Sequence, residues 1–452
     1  MAIENTSLTA LEIDKIFTKC KRIFFIGIGG VSLSSLARLC VKEGKTVFGY
    51  DAKRNEFSAS LEGSCHIKYC SSPDSVEGMD LVVFTTAIDE SNFEYARAKK
   101  LNIPLISRAN FLGYVMSKYK NRIGICGSHG KSTTTAMLAH IFKYANKKPT
   151  VFCGAKMNNY SSCEILGSED FCIFEGCEYL NAFLHLSPTE SIITNIDYDH
   201  PDFFKSAKDV ISSFQEYANL NEKIYINSDD KLSSSIKHGN IVTYGINNSA
   251  DYTGKIIHSP KENKFSIYKN GNFLVECSLS FSGEHFVYDA LGAFAAAYEN
   301  GIGKSTIKDA LSTFTGTGRR MELIKKTDTG VDAFEDYAHH PTEIKASLSA
   351  LRKMGYGRIC CIFQAHTYSR TYYLYEEFKN AFRCVDNLII APTFSAREVN
   401  TFGFTDEEFA QHCGGIFMSD YNKIADYVSE LEVDAIVIMG AGDICKIKEY
   451  LK

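Results

Sequence analysis

The sequence predicts an α/β protein of three domains, and three observations predict it. A glycine-rich turn, Gly27-Ile28-Gly29-Gly30, stands between a strand and a helix near the N-terminus. A second turn, Gly127-Ser128-His129-Gly130-Lys131-Ser132-Thr133, repeats that arrangement. Past residue 318, apolar runs alternate with helical stretches, a doubly wound pattern. The 452 residues suffice for about three domains of ~150 residues, and a hydrophobic content of 45% supplies each with a core. The expected division is residues 1–118, a Rossmann-like domain; 119–317, a central P-loop domain of mixed α/β type; and 318–452, a C-terminal doubly wound α/β domain.

Lys and Arg number 49 against 54 Asp and Glu, a net charge of −5, with no long run of either sign. Nothing here favours nucleic acid or an anionic membrane as partner. The first nineteen residues carry Glu4, Glu12 and Asp14 and do not read as a signal peptide. No apolar stretch is long enough to span a bilayer. Fifteen cysteines are scattered without metal-ligand spacing, and Cys172, Cys360 and Cys361 lie in apolar runs. The expectation is reduced, mostly buried thiols in a cytoplasmic protein.

The first unit opens with a strand at residues 22–27, a helix at 33–43 and a strand at 46–50 ending at Asp51. This is βαβ order with an acid at the tip of the second strand. The dehydrogenase fingerprint is not met, because its third glycine position is Ser32. The turn is read either as purely structural or as a contact to a diphosphate or ribose, with Asp51 near a hydroxyl. A strand at 81–84 then runs into Thr85 and Thr86, two hydroxyls at the sheet edge where open α/β sheets bind ligands.

The second unit places its turn between an apolar strand at 123–126 and a helix at 134–144, where Met137, Leu138, Ile141 and Phe142 recur at helical spacing. Backbone N–H groups and the helix dipole of such a turn cradle phosphate. Lys131 adds positive charge and Ser132 a hydroxyl suited to magnesium. The strict P-loop glycine position is Ile125, so a plain structural turn is the alternative. A strand at 171–174 delivers Glu175, an acid well placed for magnesium. A strand at 191–194 leads into Asn195-Ile196-Asp197-Tyr198-Asp199-His200, a polar cluster at a strand end, although a lone His200 is more often a surface or core histidine. A hairpin near 265–280 makes this domain mixed, and the helix carrying Ala290, Ala293, Ala295, Ala296 and Ala297 packs closely.

The third unit begins near Gly318-Arg319-Arg320, with strands at 358–363, 387–391 and 435–439. Asp336-Tyr337-Ala338-His339-His340-Pro341 and Gln364-Ala365-His366-Thr367-Tyr368-Ser369-Arg370 lie just past strands. Three imidazoles and an arginine at strand ends exceed what packing needs. No helical His-Glu-x-x-His pattern points to a zinc hydrolase.

Taken in order, the sequence resembles the Mur ligases over nearly its whole length. The residues that carry the resemblance are Phe25-Ile26-Gly27-Ile28-Gly29-Gly30, the turn at 127–133, Asn195-Ile196 with Asp199-His200, Gly318-Arg319-Arg320, Asp336 through Pro341 with Thr342-Glu343, and Gly440-Ala441-Gly442-Asp443-Ile444. The first and fifth motifs favour the member that adds the first amino acid, and Ile103-Pro104-Leu105-Ile106-Ser107-Arg108 also resembles its first domain.

The resemblance implies an ATP-dependent, ADP-forming carboxylate–amine ligase of peptidoglycan precursor synthesis. It would join L-alanine to the lactyl carboxylate of UDP-N-acetylmuramate through an acyl phosphate, as a monomer or weak homodimer. The first domain would hold the UDP moiety around Gly29, Gly30, Asp51, Thr86 and Arg108, and Asn195 would add a substrate contact. ATP would lie along Gly127, Ser128, His129, Gly130, Lys131, Ser132 and Thr133, with His285 and Asp289 near adenine, Arg319 beside the nucleotide and Asp336 near ribose. Lys131 would contact the β- and γ-phosphates; Ser132 and Glu175 would hold one Mg²⁺ and His200 would serve a second. His339 and His340 would lie close to the γ-phosphate or amine, and Arg370 would meet the amino-acid carboxylate. Lys131, His200, His339 and Arg370 are thus the catalytic candidates.

The chain departs from the family pattern at several points. Serines stand at 128 and 132 where threonine is common, and the hydroxyl is kept. His285, Phe286 and Asp289 replace a His-Asn and a following Asn, leaving Phe286 to stack on the base or to serve as core. Glu175-Gly176-Cys177-Glu178 replaces Glu-Ala-Asp-Glu, and Ala365 stands where proline is common. Thr367 occupies an arginine position of some members, which leaves the carboxylate to Arg370, able to bind it bidentately. The alternatives are a related ligase for another amino acid or a preformed peptide, and a non-catalytic nucleotide-binding paralogue. The intact set Lys131, Ser132, Glu175 and His200 argues against the paralogue.

Overall fold

The computed structural model describes residues 3–257, 259, 262–396 and 398–451. Three sheets follow one another along the chain. The first holds β1 (Arg22–Ile26), β2 (Thr46–Tyr50), β3 (His66–Lys68), β4 (Leu81–Phe84) and β5 (Leu105–Ser107). Its order is β3-β2-β1-β4-β5 and every pair is parallel. β4 is wholly buried and β1 is buried beyond its first residue, because a parallel sheet is covered on both faces and needs unbroken apolar runs. The turn after β1 enters a helix at Val31, two residues before the expected start, since Gly30 takes the N-cap position.

The central sheet has ten strands: β6 (Asn121–Cys126), β7 (Thr150–Met157), β8 (Ser162–Ile165), β9 (Phe171–Glu175), β10 (Glu190–Ile193), β11 (Lys223–Asn227), β12 (Ile241–Gly245), β13 (Tyr252–Ile257), β14 (Asn263–Lys269) and β15 (Asn272–Leu279). Their order is β15-β14-β13-β12-β11-β10-β6-β9-β7-β8. From β13 to β9 through the middle the pairing is parallel, while β13-β14-β15 and β7-β8 pair antiparallel. The expected hairpin is β14–β15, and the domain is mixed. The helices Lys131–Tyr144 and Glu284–Glu299 lie side by side on this sheet, and the buried alanines of the second bring the backbones close. The first of these begins at Lys131, three residues before the expected start, because left-handed Gly130 turns the chain directly into it.

The third sheet comprises β16 (Glu322–Lys326), β17 (Asp332–Asp336), β18 (Ile359–Gln364), β19 (Asn387–Ala391), β20 (Ile416–Phe417) and β21 (Ala435–Met439). Its order is β16-β17-β21-β18-β19-β20, parallel except for β16–β17.

The three sheets share cores across their joints. One apolar cluster joins Phe25 and Phe111 to Phe174, Phe183 and Phe214. Another joins Phe286 and Phe314 to Met321, Phe334 and Phe363. The helix Arg108–Ser117 is buried along almost its whole length at the first joint. All fifteen cysteines are unpaired, ten of them buried. Among the described residues no helix is long and apolar enough to cross a membrane.

Candidate active site

The turn between β6 and the helix Lys131–Tyr144 is braced by the end of β10. Ser128 N–H donates to Asn195 O (3.1 Å), His129 N–H to Asn195 Oδ1 (2.9 Å), and Asn195 Nδ2 back to His129 O (3.0 Å). Asn195 therefore shapes the phosphate turn. Gly130 has φ 81°, and a Cβ there would fall 2.5 Å from Asp289 Oδ1, so glycine is required twice over. Ser132 Oγ donates to Glu175 Oε2 (2.9 Å), and Gly154 N–H donates to the same oxygen (2.7 Å). A hydroxyl and a carboxylate at the head of a phosphate-binding helix are hard oxygen donors of the kind magnesium takes.

Lys131 folds back over the turn. Its Nζ donates to Gly127 O (2.6 Å), Ser128 O (3.1 Å) and the Glu178 carboxylate (2.9 and 3.0 Å). Burial works against its charge, but Glu178, with Cys177 and Glu175, holds its pKa above the ordinary lysine value. From Glu178 a chain of charges continues: Oε1 lies 3.7 Å from His200 Nε2, which lies 3.9 Å from Asp199 Oδ2, and Asp199 Oδ1 accepts from Arg370 Nε at 2.8 Å. Arg370 and Asp199 are both buried and 171 positions apart. Despite its burial Asp199 is held well below the carboxylate range, chiefly by Arg370. Lys131, His200 and Arg370 are thus brought together by Glu178 and Asp199.

His129 occupies the joint between the central and C-terminal domains. Its Nε2 is 3.2 Å from Asp197 Oδ2 and its Nδ1 3.4 Å from Glu343 Oε1. Burial opposes its charge, yet these two carboxylates raise its pKa to about 9. Thr342 Oγ1 also donates to Asp197 Oδ2 (2.7 Å), and the His340 ring lies 4.7 Å from that of His129. His339 is half-buried in bulk terms but enclosed by neighbours: its Nδ1 is 3.0 Å from Tyr337 O and its ring 5.8 Å from that of His366. Desolvation holds it well below the usual histidine range, and so neutral.

A cavity of about 490 Å³ opens beside the phosphate turn, lined by His129, Thr133, Asn195, His285, Asp289 and Asp336, with Tyr288, Arg320 and Glu343 among others. A second of about 380 Å³ adjoins it across Thr133, Phe286 and Arg320. Burial lowers His285 to about 4 and raises Asp289 to about 7. Phe286 is buried, packs edge-on against Phe281 at 4.7 Å and lines both cavities, so it is core and wall at once. Asp336 accepts from Met321 N–H, Ala338 N–H and Ser347 Oγ, which fixes its carboxyl at the cavity wall. Arg319 turns away: it pairs with Glu335 at 2.6 Å, donates to Gly440 O and Gly442 O, and lies over Tyr337 at 5.0 Å. Its neighbour Arg320 faces both cavities instead, 3.2 Å from Glu343.

A third cavity, of about 420 Å³, lies where all three domains meet. Ala87, Ile88 and Asp89 come from the first domain, Tyr179, His200 and Asp202 from the second, and His366, Thr367, Ser369, Arg370 and Glu398 from the third. In the first domain, Gly29 N–H donates to Asp51 Oδ2 (2.8 Å) and Asn55 Nδ2 to Gly29 O (3.1 Å). Gly30 caps the following helix, and Arg108 Nη1 lies 3.5 Å from Ser32 Oγ. Thr86 is half-buried beyond β4. These residues gather at the same sheet edge, Asp51 already bound to the turn.

The residues that sequence reasoning did not single out are Arg320, Glu343, Asp197 as a joint, Glu178 and Asp199 as bridges, and Glu398. Arg320 and Glu343 lay within motifs already noted; Glu398 lay in none.

Comparison with known proteins matches residues 22–120 to the Mur ligase family catalytic domain, 125–297 to the Mur ligase middle domain and 319–442 to the Mur ligase glutamate ligase domain. A UDP-N-acetylmuramate–L-alanine ligase of Caldanaerobacter subterraneus subsp. tengcongensis is 37% identical over 455 residues, spanning 97% of this chain and 98% of that one. The protein of the same name from Clostridium kluyveri is 38% identical over 452 residues, spanning 96% and 98%. The crystal structure of UDP-N-acetylmuramate–alanine ligase from Thermotoga maritima superposes with a TM-score of 0.82 at 26% identity, covering 95% of this chain and 98% of that one. A murein peptide ligase from Psychrobacter arcticus shares the fold, with a TM-score of 0.72 at 24% identity over 95% and 98%.

Proposed function

The chain belongs to the Mur ligase family, and on that premise we propose that it is an ATP-dependent ligase joining L-alanine to the lactyl carboxylate of UDP-N-acetylmuramate in peptidoglycan synthesis. The full-length relatives support the substrates. The observation that carries the chemistry is the run Lys131–Glu178–His200–Asp199–Arg370, which connects the phosphate turn to the three-domain cavity.

The carboxylate of the sugar nucleotide is a poor electrophile, since its leaving group would be oxide or hydroxide. Transfer of the γ-phosphoryl group of ATP to it gives an acyl phosphate and ADP. Attack by the alanine amine then forms a tetrahedral oxyanion that expels phosphate. Both steps gather negative charge, so fixed cations are worth most there. In this reading Lys131 exchanges the carbonyls of its own turn for the β- and γ-phosphate oxygens. We assign Ser132 and Glu175 to one magnesium ion and His200 to a second, on the strength of the oxygen pair at 2.9 Å and the acid–imidazole contact at 3.7 Å. When bound, magnesium neutralises charge between the phosphates. Arg370 receives the amino-acid carboxylate, and neutral His339 borders the phosphoryl or amine end. The nucleoside lies in the cavities flanking Arg320, with Asp336, His285 and Asp289 along its wall; we assign Arg320 the contact expected of Arg319. The turn at Gly29 and Gly30, with Asp51, Thr86 and Arg108, takes the UDP moiety. Closure of the third domain keeps water from the acyl phosphate.

We divide the chain at residues 118 and 317. The fifteen unpaired cysteines suit a reducing compartment, and we read the enzyme as cytoplasmic.

The test is phosphate release with ATP, Mg²⁺ and UDP-N-acetylmuramate across amino acids and short peptides. Release that needs both the sugar nucleotide and L-alanine supports the reading. Release with another acceptor alone keeps the mechanism and changes the substrate. ATP binding without release under any combination overturns it.

A further inference from the structure

We propose that Glu398 binds the amino group of the incoming amino acid while Arg370 takes its carboxylate, so that one rigid pair on the C-terminal domain grips both ends of the acceptor. The inference rests on the ligase reading and extends it to a residue in none of the recognised motifs.

A free α-amino acid enters as a zwitterion, and a partly enclosed cavity must satisfy both charges. Three anions line the three-domain cavity: Asp89, Asp202 and Glu398. Asp89 is taken up within its own turn by the N–H and hydroxyl of Ser91 and belongs to the first domain. Asp202 accepts the Tyr179 hydroxyl at 2.8 Å and belongs to the second. Of the three, Glu398 alone lies in the same domain as Arg370.

Its position is built. Glu398 Oε1 accepts the hydroxyls of Thr367 (2.8 Å) and Ser369 (2.5 Å), and Oε2 accepts Ser369 N–H (2.8 Å). Three donors from the segment that carries Arg370 therefore lock the carboxylate beside it. These donors are neutral, and no cation among the described residues pairs with it. Oε2 takes one donor among the described residues, Ser369 N–H, and has a second acceptor direction for an ammonium N–H. On the other side, Arg370 Nε is held by Asp199, and its Nη1 by His366, while Nη2 has no partner among the described residues. An anion held by neutral donors with no cation on it among the described residues, and an arginine whose Nη2 likewise has no described partner, both on one wall, are what a zwitterion needs. The same pair accounts for acceptor use without a second arginine at Thr367, whose hydroxyl instead anchors Glu398.

The test is Glu398→Gln in the full-length enzyme. Glutamine keeps the shape and can still bond Thr367 and Ser369, but it loses the charge. Two reactions are compared: phosphate release driven by L-alanine, and release driven by hydroxylamine, a small neutral nucleophile that traps acyl phosphates and has no carboxylate. The expected result is a rise in KM for L-alanine of about 10- to 100-fold. KM for ATP and for UDP-N-acetylmuramate should stay within about twofold of wild type, and the ratio of alanine-driven to hydroxylamine-driven release should fall by a similar factor. An unchanged KM for alanine overturns the assignment. So does an equal fall in both reactions, which would make Glu398 a brace for the segment and nothing more. A wild-type enzyme inert toward every amino acid, yet active with hydroxylamine, would keep the acyl phosphate and overturn L-alanine as the acceptor, a result distinct from either of the other two.

Discussion

Lys131 and Glu178 form a pair in which neither partner can be removed cleanly. Glu178 is 2% exposed, and Lys131 is its nearest cation. Lys131→Ala should abolish turnover, by at least ~100-fold in kcat/KM. It should also lower stability by about 3 kcal/mol, because it strands a buried carboxylate. The double variant Lys131→Ala/Glu178→Gln separates the two effects: thermal unfolding should recover and activity should not. Activity that returned with stability would remove Lys131 from the chemistry. Asp289 makes a second case. Burial raises its pKa from 3.8 to about 7, with Thr134 and Arg320 opposing in part. A folded-state pKa above the unfolded one means stability is fully present below about pH 4 and is lost as pH rises through 7. Asp289→Asn removes that loss. The variant should gain on the order of 1–3 kcal/mol over wild type at pH 8 and nothing at pH 4, as read by thermal melts at the two pH values. An equal gain at both would mean packing, not charge, is at stake.

At the scale of elements, the helix Arg108–Ser117 shows how context reverses propensity. Gly113 lies mid-helix, where alanine ordinarily stabilises by about 1 kcal/mol. Here a Cβ would sit 2.0 Å from His185 O, a backbone atom that cannot swing aside. Overpacking against backbone costs about 1–3 kcal/mol, so Gly113→Ala should destabilise, and should loosen the joint between the first two domains. Chemical denaturation with limited proteolysis of the turn Tyr179–His185 measures both; a stabilised variant would refute the packing argument. The same contrast explains what was legible in the sequence. β2, β4, β19 and β21 could be bounded to the residue: in β4, β19 and β21 apolar runs ended by polar residues leave a parallel strand little freedom, and β2 stops at Asp51. Helix starts were read two or three residues late at both glycine-rich turns, since the residues that open each helix, from Val31 and from Lys131, belong to the turn motif and precede the apolar spacing. Within the candidate site, residues in one motif were readable as a group but not in orientation. Arg319 has φ 58°, which turns it toward Glu335 and leaves Arg320 facing the cavities, and no pattern of side chains encodes that twist. The Arg370–Asp199 bond joins positions 171 apart in different domains and exists only once the third domain has docked.

At the scale of the molecule, that docking depends on a few polar contacts laid over a shared apolar core. His129 on the phosphate turn meets Asp197 of its own domain and Glu343 of the third, and Thr342 reaches back to Asp197. The placement couples the state of the phosphate turn to closure, because the residue that follows Ser128 in the turn is also the hinge-side latch. The groups facing His129 are Asp197, Glu343 and the His340 ring, with Arg320 beyond Glu343. Asp197 and Glu343 are held below the ordinary carboxylate range although desolvation opposes it, so they stay charged across neutral and alkaline pH. The titrating partner is His129. Its pKa of about 9 exceeds the ordinary 6.5, so its contribution to closure is complete below 6.5 and is lost as pH rises through 9. Deprotonation leaves one ring nitrogen without a proton to donate and sets two carboxylates, the part-exposed Asp197 and the largely enclosed Glu343, against a neutral ring at the joint, which favours the open arrangement. Small-angle scattering of the nucleotide-free enzyme should therefore give a constant radius of gyration from pH 6 to 8 and an increase by pH 10, at temperatures where the fold persists. His129→Gln, which can bond each carboxylate but carries no charge, should be expanded at pH 7 and insensitive to pH thereafter. A wild-type radius unchanged through pH 10 would show that the apolar cluster around Phe286, Phe314 and Met321 holds the domains together without the latch.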